Sequence, residues 1–127
     1  MISIDEMQAM LDDIAESMPG EFYKQLNGGI ILMPQAKRDL RKGAQGLYIL
    51  GEYYRGGNLG RYIAIYYGSF ERVYGYLPKE QLAAQLAGTL KHEFRHHLES
   101  LAGERGLEIE DEKFLADYLR RHARGKE

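Results

Sequence analysis

The stretch LYILGEYYRGGNLGRYIAIYYGSF, residues 47–70, carries the pattern that most clearly predicts the fold class of this chain. Two segments in it, residues 47–55 and 61–70, are rich in β-branched and aromatic residues, which favour strands. The glycine-rich segment GGNLG, residues 56–60, separates them. Two such segments joined by a short glycine-rich connection are typical of a β-hairpin. We therefore predict a pair of neighbouring strands in the middle of the chain.

The segments on either side complete a small α+β domain. Residues 29–34, GIILMP, form another short apolar run and predict a third strand. Residues 3–18 carry apolar side chains at helical spacing, and residues 78–101 and 109–123 are also helix-patterned. This order of one helix, three strands and two further helices predicts a single domain over residues 1–127. In it a small, mainly three-stranded sheet packs with an N-terminal helix, a site helix and a C-terminal helix.

The composition limits the classes of function. The chain has 127 residues and a net charge of −2, so we expect neither a nucleic-acid partner nor a membrane partner. It has no cysteine, so any metal ion must be held by nitrogen and oxygen ligands. The N-terminus lacks the pattern of a signal peptide, and no apolar run is long enough to span a bilayer. The simplest expectation is a cytoplasmic protein.

The stretch KHEFRHHLE, residues 91–99, contains three of the four histidines. His92, Glu93 and His96 form an HExxH motif inside a predicted helix. Residues four apart in a helix lie about 40° apart around its axis, so both imidazoles can point at one ion. Glu93 lies beside the pair, where it can take a proton from a metal-bound water. The motif predicts one Zn²⁺ ion held by His92 and His96, with Glu93 as the catalytic residue.

Two neighbours of this motif have different predicted roles. His97 lies roughly 140° around the helix from His92, towards the core face, and we expect it to be buried and hydrogen-bonded. Gly88 lies one turn before His92 on the site face. It either keeps space open beside the metal ion or allows close packing of another element.

The sequence around the motif resembles a known family. TLKHEFRHHLE at residues 89–99, preceded by RYIAIYYGSFERVYG at residues 61–75 and by the N-terminal amphipathic helix, is similar to the minimal zincins, a group of small bacterial zinc metallopeptidases. The resemblance covers nearly the whole chain. Its most specific parts are HExxHH and a strand that ends in Glu71 and Arg72.

This resemblance implies a zincin-like α+β domain, with Zn²⁺ held by His92 and His96 and with Glu93 as the catalytic acid and base. It also implies hydrolysis of peptide bonds in a peptide or protein substrate, and the predicted strand at residues 61–68 is a candidate edge strand to pair with it. A non-catalytic metal-binding interaction module is the alternative function.

The sequence departs from the family pattern at the third metal ligand. Many members continue as HExxHxxGxxD. In this chain Glu99 stands at the glycine position and Ala102 at the aspartate position. If IEDE at residues 109–112 corresponds to the end of the family segment, Asp111 becomes the third ligand. Glu99 and Glu112 remain alternatives, and Asp111 and Glu112 also fit acidic residues at a helix start.

Overall fold

A computed structural model of the protein describes residues 1–41, 43 and 46–105. Its helices are α1 (Ile4–Ser17), α2 (Tyr67–Tyr74) and α3 (Lys79–Arg105), with a 3₁₀ turn at Gly20–Tyr23. Its strands are β1 (Gly29–Met33), β2 (Lys37–Arg38), β3 (Tyr48–Ile49), β4 (Gly51–Tyr54) and β5 (Tyr62–Tyr66). The predicted α+β class is confirmed. The predicted C-terminal helix at residues 109–123 lies outside the described residues.

A mixed sheet of three strands, in the order β1-β5-β4, forms the centre of the fold. The predicted hairpin is confirmed, because β4 and β5 pair antiparallel with Gly51 opposite Ile65. Strand β1 pairs parallel with β5 on its other side. The prediction that residues 61–68 supply an edge strand is therefore wrong. Ile63, Ala64 and Ile65 are fully buried, which suits a central strand, and β4 forms an edge of the sheet.

Two local predictions fail next to this sheet. The predicted strand at 61–70 stops at Tyr66, and Glu71 and Arg72 lie within the short helix α2 rather than at a strand end. Aromatic residues occur on both sides of this boundary, so composition alone does not mark it. The backbone N–H of Gly68 donates to the carbonyl of Gln35 (3.2 Å), which anchors the first turn of α2. After β1, Lys37 and Arg38 form the short strand β2, which pairs antiparallel with β3.

Helix α3 packs one face against the core and leaves the other face for the site. Five of its buried apolar residues recur every four positions: Leu82, Leu86, Leu90, Phe94 and Leu98. The ring of Phe94 lies 5.6 Å from that of Phe22 and 5.0 Å from that of Tyr23. Helix α1 adds Met7 and Leu11 to the same core. None of the helices in the described ranges is long and apolar enough to cross a membrane.

Helix α1 begins with a capping box formed by Ser3 and Glu6. The Ser3 hydroxyl accepts from the backbone N–H of Glu6 (3.1 Å), and the Glu6 carboxylate accepts from the backbone N–H of Ser3 (3.0 Å). Two N–H groups that the helix itself cannot satisfy are thereby paired. These bonds lower the pKa of Glu6.

Candidate functional site

The two motif histidines converge on the exposed face of α3. Their Nε2 atoms lie 3.1 Å apart, and the two ring planes cross at 88°. For comparison, tetrahedral zinc with nitrogen ligands at about 2.0–2.1 Å places two such nitrogens roughly 3.3 Å apart. At this distance one ring can donate a hydrogen bond to the other. The sequence spacing alone brings His92 and His96 together, as the helical repeat requires.

Glu93 lies beside the pair but is turned into the protein. Only 6% of its surface is exposed, although the residue still lines the groove above α3. Burial raises the pKa of Glu93 to about 7, and the negative charge of Glu52 adds to the effect. Near neutral pH this carboxyl therefore exchanges a proton readily, as a general acid or base must.

A groove of about 970 Å³ runs over the histidine pair. Helix α3 forms its floor, β4 forms one wall, and residues 37–41 together with Ile49 border it. Charged side chains of both signs line it, among them Lys37, Arg38, Arg55, Glu52 and Glu99. The volume lies within the range of small-molecule sites, so the histidines stand in a groove that can hold a ligand.

Glu52 is fixed in the wall of this groove by three donors. Its Oε1 accepts from the Lys37 ammonium, from the Tyr54 hydroxyl and from the Tyr66 hydroxyl (2.7 Å to Tyr66). Burial alone would raise the pKa of Glu52, but these hydrogen bonds outweigh burial and lower it. Glu52 is therefore held as a carboxylate, and its charge acts on Glu93.

A second network fixes the buried side of α3. His97 is fully buried, and its Nε2 lies 2.8 Å from the carbonyl oxygen of Lys24. A carbonyl oxygen only accepts, so Nε2 carries the proton and Nδ1 accepts from the Tyr53 hydroxyl (2.8 Å). The prediction of a buried, hydrogen-bonded His97 is confirmed. The network continues through Arg61, which donates to Tyr53 (3.0 Å) and to Ser100 (2.8 Å).

Among the described residues, Glu99 is the one candidate for a third ligand, and it is engaged elsewhere. Glu99 lies exposed on α3 and accepts from the Nε of Arg95 (3.1 Å), in an ion pair four residues apart. Asp111, the preferred third ligand, and Glu112, its alternative, lie outside the described residues.

Sequence reasoning missed the groove residues that come from the sheet. Glu52, Lys37 and Tyr53 reach the site from β2 and β4, which a linear motif cannot reveal. One signal was present: Glu52 is the only charged residue of β4. A carboxylate inside a strand needs partners, and such a residue could have been marked as a candidate for the site.

The described residues thus define a class: a small α+β domain with a mixed three-stranded sheet, whose longest helix presents a histidine pair to a charged groove. Comparison of structures finds a similar chain, a conserved hypothetical protein from Thermo thermophilus, at 36% identity and a TM-score of 0.71. The match covers 80% of this chain and 99% of that one. This chain belongs to the same family as that protein. No protein-family model and no curated protein matches the sequence.

The prediction of a zinc-dependent peptidase is wrong on two findings. Within residues 1–41, 43 and 46–105, no group of three or more histidine, cysteine, aspartate or glutamate side chains could hold a metal ion. A catalytic zinc site takes three protein ligands and a water. The related protein from Thermo thermophilus is described as a conserved hypothetical protein, and this description names no peptidase activity. The described residues therefore do not form the site that zinc-dependent peptide hydrolysis requires.

Proposed function

We propose that this protein binds one divalent transition-metal ion, Zn²⁺ in the first instance, through His92 and His96 at the floor of the groove. The distance of 3.1 Å between the two Nε2 atoms carries this proposal. It is close to the separation that two imidazole ligands adopt on one tetrahedral ion. Two protein ligands leave the remaining coordination positions to water or to a ligand in the groove.

The surroundings of the pair support this function. Both rings are exposed, so an ion can reach them without unfolding the helix. Imidazole nitrogen suits zinc, copper and nickel, and a pair of imidazoles does not select strongly among them. A bound ion acts as a Lewis acid towards a ligand that coordinates it. Glu93 lies next to the pair and can accept or release a proton near neutral pH.

We also propose a zincin-like arrangement for the domain. HExxH lies on a helix packed below a mixed sheet, and edge strand β4 runs beside the groove that holds the two histidines. The proposed likeness to zincins extends to the position of Glu93 within the motif. This proposal concerns the arrangement of the fold and includes no catalytic activity.

Metal titration of the purified protein tests the proposed function. After dialysis against a chelator and then against buffer, the protein is titrated with Zn²⁺ by calorimetry, and bound metal is measured by mass spectrometry. We expect one equivalent in the wild type, and at least a tenfold weaker affinity in His92→Ala and in His96→Ala.

Arg95→Ala is the matched control for these variants. Arg95 is exposed on the same turn of α3 and pairs with Glu99, so its loss changes charge and helix surface without removing a ligand. It should keep the affinity of the wild type. A full equivalent of tightly bound zinc in His92→Ala would refute the assignment.

A further inference from the structure

Two arginine side chains meet at one hydroxyl group, one turn of α3 beyond the histidine pair. The Nη1 of Arg55, which follows β4, donates to the Oγ of Ser100 (3.1 Å). The Nη1 of Arg61, which precedes β5, donates to the same oxygen (2.8 Å). Arg55 and Ser100 line the groove together with His96. We call the three residues Arg55, Arg61 and Ser100 the double-arginine site.

The two arginines of this site differ in how firmly they are held. Arg61 is half-buried and also donates from Nη1 to the Tyr53 hydroxyl (3.0 Å), which is itself bound to the fully buried His97. Arg55 is exposed, so a ligand that enters the groove can reach it. Because one donor is already fixed by the fold, a ligand that binds both arginines orders little more than the side chain of Arg55.

The positions of the two guanidinium groups favour an anion. Both Nη1 atoms lie within 3.1 Å of one oxygen atom, so they are at most about 6 Å apart, and like charges this close repel each other. A neutral hydroxyl supplies only part of a negative charge at the point where they meet. An anion at that point attracts both groups and offsets their repulsion.

The charge balance of the groove points in the same direction. Of the four acidic residues among the described residues that line it, Glu93 is buried and the other three are each paired with a cation: Asp39 with Arg41, Glu52 with Lys37 and Glu99 with Arg95. Arg38 and Arg55 line the groove in addition to the cations in these pairs. The groove therefore suits a ligand with negative charge.

We propose that the double-arginine site binds the phosphoryl group of a small phosphorylated ligand whose remainder lies in the groove over the histidine pair. Two guanidinium groups and a hydroxyl, which approach from different elements of the fold, match the several oxygens of a tetrahedral oxyanion. A carboxylate has only two oxygens, and a single guanidinium can satisfy both of them. The site needs no metal ion, so this inference is independent of the proposed metal site.

Titration of the metal-free protein with inorganic phosphate tests the inference. Binding is followed by NMR through the side-chain Nε–H signals of Arg55 and Arg61, with sodium chloride holding the ionic strength constant. We expect both signals to shift with one common, millimolar dissociation constant. Acetate in place of phosphate should bind at least fivefold more weakly, and Arg55→Ala should weaken phosphate binding about fivefold, since it removes an exposed charged donor.

Arg38→Ala is the matched control for Arg55→Ala. Arg38 is also exposed and lines the same groove, but it makes no hydrogen bond to Ser100 among the described residues. Its loss removes the same charge from the groove and should change the affinity for phosphate less than twofold. A second variant, Ser100→Asp, places a carboxylate where the two arginines meet and should abolish the response to phosphate while both arginines remain.

Several results would overturn the inference. Equal weakening in Arg38→Ala and Arg55→Ala would mean that phosphate responds only to the overall charge of the groove. Acetate that binds as tightly as phosphate would refute the phosphoryl assignment. A signal of Arg61 that does not move, a response that does not saturate, or phosphate binding retained in Ser100→Asp would each refute the double-arginine site. None of these measurements involves zinc, so their failure leaves the proposed metal site intact.

Discussion

The Nδ1 atom of buried His97 lies 2.8 Å from the hydroxyl of Tyr53, which joins the buried face of α3 to edge strand β4. The other ring nitrogen donates to the Lys24 carbonyl, so both nitrogens of this fully buried ring are paired. Burial lowers the pKa of His97, and the positive charge of Arg61 acts in the same direction. The neutral imidazole is therefore part of how α3 is fixed below the groove.

Replacing His97 with glutamine should destabilise the protein by about 2 kcal/mol at pH 8, because Tyr53 loses its buried partner. The pKa of His97 is lower in the folded protein than its ordinary 6.5. Below pH 6.5 the unfolded chain therefore binds more protons at this residue, and the wild type loses stability as pH falls. Urea denaturation should show that the difference in the free energy of unfolding between wild type and His97→Gln becomes smaller from pH 8 to pH 5.5. A gap that widens towards acid would contradict the neutral, buried ring.

Glu93 gives the opposite pH dependence. Its pKa is raised from 4.5 to about 7 in the folded protein, so between these values the folded state binds more protons and stability falls as pH rises. Glu93→Gln keeps the shape and removes the charge. It should be more stable than wild type at pH 8, by roughly 3 kcal/mol at most. The two proteins should converge near pH 4, and urea denaturation at both pH values measures this. Equal stability of wild type and Glu93→Gln at pH 8 would contradict the prediction, because it would mean that the buried carboxylate does not destabilise the folded protein.

Glu52 contributes to the raised pKa of Glu93, so its neutralisation should lower that pKa. Titration of the Glu93 carboxyl carbon by NMR should give a lower midpoint in Glu52→Gln than in wild type. Glu99→Gln is the control, because Glu99 lines the same groove but is exposed and paired with Arg95. The prediction would be contradicted if Glu52→Gln and Glu99→Gln lowered the titration midpoint of Glu93 equally.

Much of the fold follows from local patterns that the sequence contains in full. The core face of α3 repeats every four residues, and the hairpin of β4 and β5 follows from two aromatic segments around five residues that include three glycines. The contact between His92 and His96 was predictable for the same reason, since the helical repeat places them together. The buried position of His97 followed from the same geometry.

What could not be predicted depends on contacts between distant residues. The central position of β5 arises because β1, about thirty residues earlier, pairs with it, and no local signal reports that pairing. Helix α2 begins where Gly68 meets the backbone of Gln35 and Ala36, again across a long separation. The charged wall of the groove depends on Lys37 reaching Glu52 from another strand.

The close contact between β4 and α3 gives the last prediction. A Cβ at Gly51 would lie 3.0 Å from the Cγ2 of Thr89 and 3.1 Å from the Cδ1 of Ile65. Gly51→Ala should therefore destabilise the protein by about 1–3 kcal/mol through overpacking. Thr89→Ser removes the contacting methyl group, so the double variant should lose less stability than the sum of the single variants. Urea denaturation of the four proteins measures this coupling. Strict additivity would show that α3 does not approach β4 closely at Gly51, and the position of the histidine pair beside β4 would need revision.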